Sequence, residues 1–297
     1  MQLDETRLAV RERGFPEILD LSLHLLRRYL QPLTISLAIG VLPMMLLNHW
    51  LIGWMAGSDY IEYELTFIPE RFVWTMSLLV FIEAPLASVV ATAYLGHAVF
   101  QDQPSIWRLA IDTAKMLPRL LWCQITVRGV AAAIVLLLGV TAQEEFSPFE
   151  ALLIPLALVV GLLRAIRPYM NEIILLEKNP LRARNPATMT IWRRTSLLHS
   201  PSTGDLFLRW CGAAIVSVLL VLAVSHTFLF FQGVLLNSWR WTPTMVTVFV
   251  PLSMWLVAGY MTVVRFLGYL DLRIRHEGWE VELRLRAEAA KLASRLV

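Results

Sequence analysis

Seven polar residues stand where hydrocarbon would favour none: Glu83, Arg128, Arg164, Arg167, Asn171, Glu172 and Arg265 all fall inside stretches that are otherwise apolar. Counting inward from the expected span ends at about 1.5 Å per residue puts Glu83, Arg128 and Arg164 roughly 12 to 22 Å deep, around the centre of a ~30 Å core. Arg167, Glu172 and Arg265 lie nearer one face. A charged side chain at such depth costs about 2.5 to 3.5 kcal/mol on insertion scales, so it must face protein or water and find partners. Two chemistries fit the set. One is a group of interhelical ion pairs that hold a bundle in register. The other is a positively biased cavity, four arginines against two glutamates, that receives an anionic group such as a lipid phosphate. Glu83 is the only acid expected near mid-membrane, and it is expected to pair with Arg164, with Arg128 as the next candidate.

Other chemistry is weakly signalled. His276-Glu277-Gly278-Trp279 begins like a zinc-protease helix, but position 280 is Glu280 and the second histidine is missing. Histidines 24, 49, 97, 199, 226 and 276 form no pair three or four residues apart, and Cys123 and Cys211 have no ligand spacing, so free thiols and no metal are expected. Asp59, Glu62 and Glu64 could hold a divalent cation, although a solvated acidic turn explains them as well. Asp271, Arg273 and Arg275 read as a salt-bridged helix end. No phosphate-cradling glycine loop, no nucleophile elbow and no cofactor signature is present.

These residues must be positioned by helices that cross a bilayer. The stretch from Ala151 to Glu177 opens with thirteen apolar residues and only then turns polar. Five comparable spans are expected at about Leu33 to Met55, Phe72 to Phe100, Leu120 to Ala142, Leu206 to Leu236 and Pro243 to Tyr269. Amphipathic stretches at Phe15 to Gln31, Pro104 to Arg119 and Ala187 to Leu198 alternate with them and read as helices at the membrane surface. The expected fold is therefore all-α: a polytopic transmembrane helix bundle of about six spans with cytoplasmic amphipathic surface helices. Its parts would be a cytoplasmic tail and amphipathic helix (1–31), a six-span domain (32–270) and a cytoplasmic C-terminal helix (271–297). A threefold repeat of hydropathy, over residues 15–101, 104–177 and 186–270, runs through it without clear sequence identity.

Composition agrees: 57% of the 297 residues are hydrophobic and 16% charged, against about 45 to 50% and about 25% in soluble domains. Twenty lysines and arginines fall on one side of the expected spans, and two, Arg71 and Arg240, on the other. The positive-inside rule then puts both termini in the cytoplasm, with the first span as insertion signal because no cleavable signal peptide is read at the start. It also accounts for the net charge of +3, so nucleic acid is not an expected partner.

The run GYLDLRIRHEGWE, which begins at Gly268, resembles the closing segment of bacterial integral membrane proteins related to the membrane domain of glycerophosphoryl diester phosphodiesterases. MNEIILLE, Met170 to Glu177, looks like the same group's fourth-span ending, and Arg193 to His199 with Leu206 to Trp210 is similar to a connection in some members. The resemblance implies a six-span bundle in a bacterial inner membrane. It does not imply phosphodiesterase activity, which belongs to a soluble domain that the sequence lacks. Two function classes stand open. One is a non-enzymatic scaffold or assembly component with a protein partner at its cytoplasmic face. The other is a handler of anionic lipid or another anion through an arginine-lined cavity. Membrane lipids are partners in both, and no cofactor is called for.

Overall fold

The computed structural model describes residues 13–62, 69–99, 105–127, 129–140, 147–182 and 188–277. The expected N-terminal tail, the C-terminal helix beyond residue 277, Glu64 and Arg128 lie outside them. The described residues are helical, with no strand among them. Helix α1 (Phe15–Arg28) is followed by α2 (Leu30–Glu62), α3 (Glu70–Ala87), α4 (Val89–Ala98) and α5 (Ile106–Leu121). A π-helical turn, Trp122–Val127, leads to α6 (Val130–Leu138) and then to α7 (Pro148–Ile166). The short α8 (Met170–Glu172) runs into a second π turn, Ile173–Glu177, and α9 (Ile191–His199), α10 (Thr203–Leu236) and α11 (Val250–Glu277) complete the fold.

Four helical runs among the described residues are long and apolar enough to cross a membrane: Leu30–Gly57, Pro148–Ile166, Ile191–Leu236 and Met245–His276. The α3–α4 pair, bent by 42° at Ser88, makes a fifth if counted as one span. The third expected span, Leu120 to Ala142, is interrupted. Between the π turn and α6, Gly129 takes φ +76, a left-handed conformation open to glycine because it has no Cβ, and α6 is only 9 residues long. The stretch from Ala151 to Glu177 is likewise not one helix. It stops at Ile166, turns through Arg167, Pro168 and Tyr169, and restarts at Met170. Proline has no N–H to continue the ladder, which accounts for the break.

Caps set several boundaries. Ser147 accepts from the Phe149 N–H at the start of α7, with Pro148 in the first turn. Thr190 accepts from the Arg193 N–H, so α9 begins at Ile191, four residues later than the expected Ala187. Asn237, at φ 51, ends α10.

Helix α1 was expected at the membrane surface; its apolar face is covered by protein, with Ile18, Ser22 and Leu25 buried and Tyr260 on α11 donating to the Leu19 carbonyl at 3.0 Å. The helix packs against α11 and α2, and its buried residues belong to one of the core clusters. On α5, by contrast, Leu109 is buried while Trp107 and Ile111 stay exposed. Helices α2, α3, α6, α7 and α11, with a π turn at Met245–Phe249, share the other large cluster, which includes Ile52, Leu79, Ile82 and Met245. Helix α10 stands apart: of its 34 residues only Leu206, Ser225 and Gly233 are buried.

Candidate functional site

Pro85 lies inside α3, and its missing N–H deprives the Phe81 carbonyl of its helical donor. Arg164 reaches over from α7 and donates to that carbonyl through one terminal nitrogen and to the Ile82 carbonyl through the other, at 2.6 Å. Its guanidinium also lies 4.5 Å from the centre of the Phe81 ring, a cation–π contact. One turn further on, the Pro85 carbonyl accepts from Asn171 Nδ2 at 2.6 Å and from the Ser88 hydroxyl at 3.3 Å. Asn171 in turn accepts from Gln124 on the first π turn. A backbone carbonyl left without its helical donor in hydrocarbon must find another, and Arg164 supplies it for Phe81, while Asn171 donates to the Pro85 carbonyl beside the α3–α4 break.

Arg265 and Glu172 form an ion pair at 2.7 Å between α11 and α8. The same guanidinium reaches the hydroxyls of Ser88 at 3.2 Å and Thr92 at 3.4 Å, so it also braces the bend between α3 and α4. Arg167 sits with its guanidinium 5.6 Å from the Trp192 ring centre. The expected partnership of Glu83 with Arg164 is not made: Glu83 accepts from Asn48 of α2 at 2.8 Å, on the side of α3 that faces α2. Arg164 approaches the same helix by its backbone.

A second ionic tier lies where α9, α10 and α11 meet. Glu177 accepts from Arg194 at 2.6 and 2.9 Å and from the Tyr269 hydroxyl at 2.7 Å. Asp271 accepts from Arg209 at 2.9 Å, from Arg275 at 3.1 Å and from the Arg13 N–H at 2.8 Å. Sequence reasoning missed Asn48, Gln124 and Glu177. A single asparagine inside an apolar span was the available signal for Asn48, since such a group must be hydrogen-bonded.

Between α10 on one side and α3, α7 and α11 on the other runs a cavity of about 870 Å³. Its α10 wall extends from Leu206 to His226, roughly 30 Å at the helical rise. Val80, Ala214, Val218, Met254 and Val257 give it an apolar surface, and Phe15 and Ile18 of α1 lie at one end. Arg164, Arg209 and Arg265 also line it, with no aspartate or glutamate among the described lining residues. No group of three or more histidine, cysteine or acidic side chains that could hold a metal occurs among the described residues. The arrangement suits a long apolar chain with a negative group attached, because such a ligand would meet hydrocarbon along most of the lining and the guanidinium groups of Arg164, Arg209 and Arg265. Comparison with protein-family models, with curated proteins and with solved structures finds no match for the chain.

Proposed function

We propose that this is a non-enzymatic integral membrane protein that binds an anionic, lipid-like amphiphile in the groove behind α10. The groove itself carries the reading: it is about as long as a hydrocarbon core is thick, it is apolar, and its charged lining residues are all basic. A sparsely buried α10 would let such a ligand enter sideways from the bilayer. The resemblance of the Gly268 and Met170 segments to bacterial inner-membrane proteins agrees with this setting. Six passes are proposed with both termini cytoplasmic, the interrupted third pass being formed by the first π turn and α6, and the fourth by α7 through the second π turn.

A second reading, a scaffold for another protein, is favoured by one observation. The Glu177 and Asp271 tier ties α9, α10, α11 and Arg13 into one braced face, and Trp107 of α5 is 73% exposed. Native mass spectrometry of protein extracted from its own membrane separates the two. Retained anionic lipid at one per chain supports the groove. Lipid-free protein carrying a second polypeptide supports the scaffold and overturns the first reading.

A further inference from the structure

Glu83 and Asn48 face each other across the α2–α3 interface, and both are fully buried. Asn48 Nδ2 donates to Glu83 Oε2 at 2.8 Å, and each residue then has one oxygen left, Oε1 and Oδ1, that finds no hydrogen-bond partner among the described residues. Among the described residues no cation pairs with Glu83. An ionised carboxylate there would carry a charge that no described residue compensates, in a fully buried setting, and would leave two acceptors bare. A single proton resolves all three problems. Once on Oε1 it converts that atom from acceptor to donor, and the amide already bonded to the other oxygen carries an unmet acceptor, Oδ1. Acid and amide then close a ring of two hydrogen bonds.

We propose that Glu83 is a proton-binding site: the carboxylate takes up one proton from the aqueous phase, forms an O–H bond at Oε1, and is held as a neutral acid by the Asn48 carboxamide. A small metal cation is the competing occupant for two bare oxygens. It fits poorly, because hard cations of this kind collect six or more oxygen ligands and this pocket offers two. The proposal does not depend on what the groove binds, since Glu83 is not among the residues that line it.

Infrared difference spectroscopy on the full chain in nanodiscs of phosphatidylcholine and phosphatidylglycerol tests this. At neutral pH, wild type minus Glu83→Gln should show one protonated-carboxyl carbonyl band, which moves down in D2O. Asn48→Ala keeps the acid but removes the amide, so the same band should persist and move up. That variant also gives the reading should Glu83→Gln not fold. Loss of a carboxylate stretch in place of the acid band overturns the proposal. So does a thermal stabilisation by sodium over potassium that Asn48→Ala or Glu83→Gln abolishes, which would assign the oxygens to a metal ion.

Discussion

Asn171 donates to the Pro85 carbonyl at 2.6 Å, so that a residue just past the break in one membrane helix closes the break in another. Arg164, last but two in α7, does the same for Phe81. The two kinks are thus complementary. Pro85 frees the Phe81 carbonyl, the α3–α4 break at Ser88 follows within a turn, and the interruption after Ile166 turns Asn171 so that its amide meets the Pro85 carbonyl. The cost of placing a guanidinium so deep is offset by backbone dipoles that would otherwise be bare.

If the Phe81 carbonyl needs Arg164 because Pro85 has no N–H, restoring that N–H should make the arginine less necessary. Arg164→Leu is expected to lower unfolding free energy by about 1 to 3 kcal/mol for each carbonyl stranded. In a Pro85→Ala background the same change should cost clearly less. Thermal unfolding of the four proteins of this cycle reads the coupling, and strict additivity would show that the two residues act independently.

The Arg265–Glu172 pair should behave as a buried ion pair whose members are worth keeping only together. Glu172→Ala strands a guanidinium between α11 and α4 and is expected to cost about 3 to 5 kcal/mol. Adding Arg265→Ala should recover part of the loss in folded yield and melting temperature. A double variant no more stable than the worse single one would mean that the Ser88 and Thr92 hydroxyls, not the carboxylate, are what Arg265 chiefly serves.

The positions of the helices were largely legible from hydropathy, because apolar runs such as Leu33 to Met55 have few alternatives in water or lipid. Their interruptions were less so. Pro85 and Pro168 were visible in the sequence, but whether proline bends a helix or ends it depends on which donors wait on neighbouring helices, and Arg164 and Asn171 come from distant parts of the chain. The same limit misled the pairing of Glu83. Depth along the normal brought Arg164 to its level, yet depth says nothing of which way a residue faces round its helix, and Glu83 points to α2 while Arg164 arrives from α7. The face of α1 was read correctly as apolar; that its partner is α11 and not lipid could not be inferred from periodicity, which is blind to what covers a face.

Glycine content hides one tight contact. A Cβ built on Gly40 of α2 would lie 1.9 Å from the Ala87 carbonyl oxygen at the end of α3, and backbone cannot swing aside as a side chain can. Gly40→Ala should therefore force α2 and α3 apart and cost about 1 to 3 kcal/mol, as overpacked cores do. Gly57, near the other end of the same helix, has nothing within 4 Å. Gly57→Ala should be neutral or slightly stabilising, since glycine in a helix is roughly 0.5 to 1 kcal/mol worse than alanine. Equal melting temperatures for the two variants would remove the close approach of α2 to Ala87.

The groove makes the sharpest demand on α10. Ala214 lines it, whereas Leu219 is 60% exposed and is not among the lining residues. An indole at 214 would fill space that an acyl chain needs, and because α10 is so little buried the helix can shift outward without breaking a core. Ala214→Trp is therefore expected to lower the amount of co-purified anionic lipid at least severalfold while leaving the melting temperature of delipidated protein within a few degrees of wild type. Leu219→Trp, equal in bulk and on the same helix, should change neither. Arg209→Ala separates charge from shape: it removes a lining guanidinium but also a bond to Asp271, so loss of lipid with loss of stability would trace to the brace. Retention of anionic over zwitterionic lipid is the informative ratio, and if Ala214→Trp leaves both the ratio and the total unchanged, the groove behind α10 is not where lipid sits.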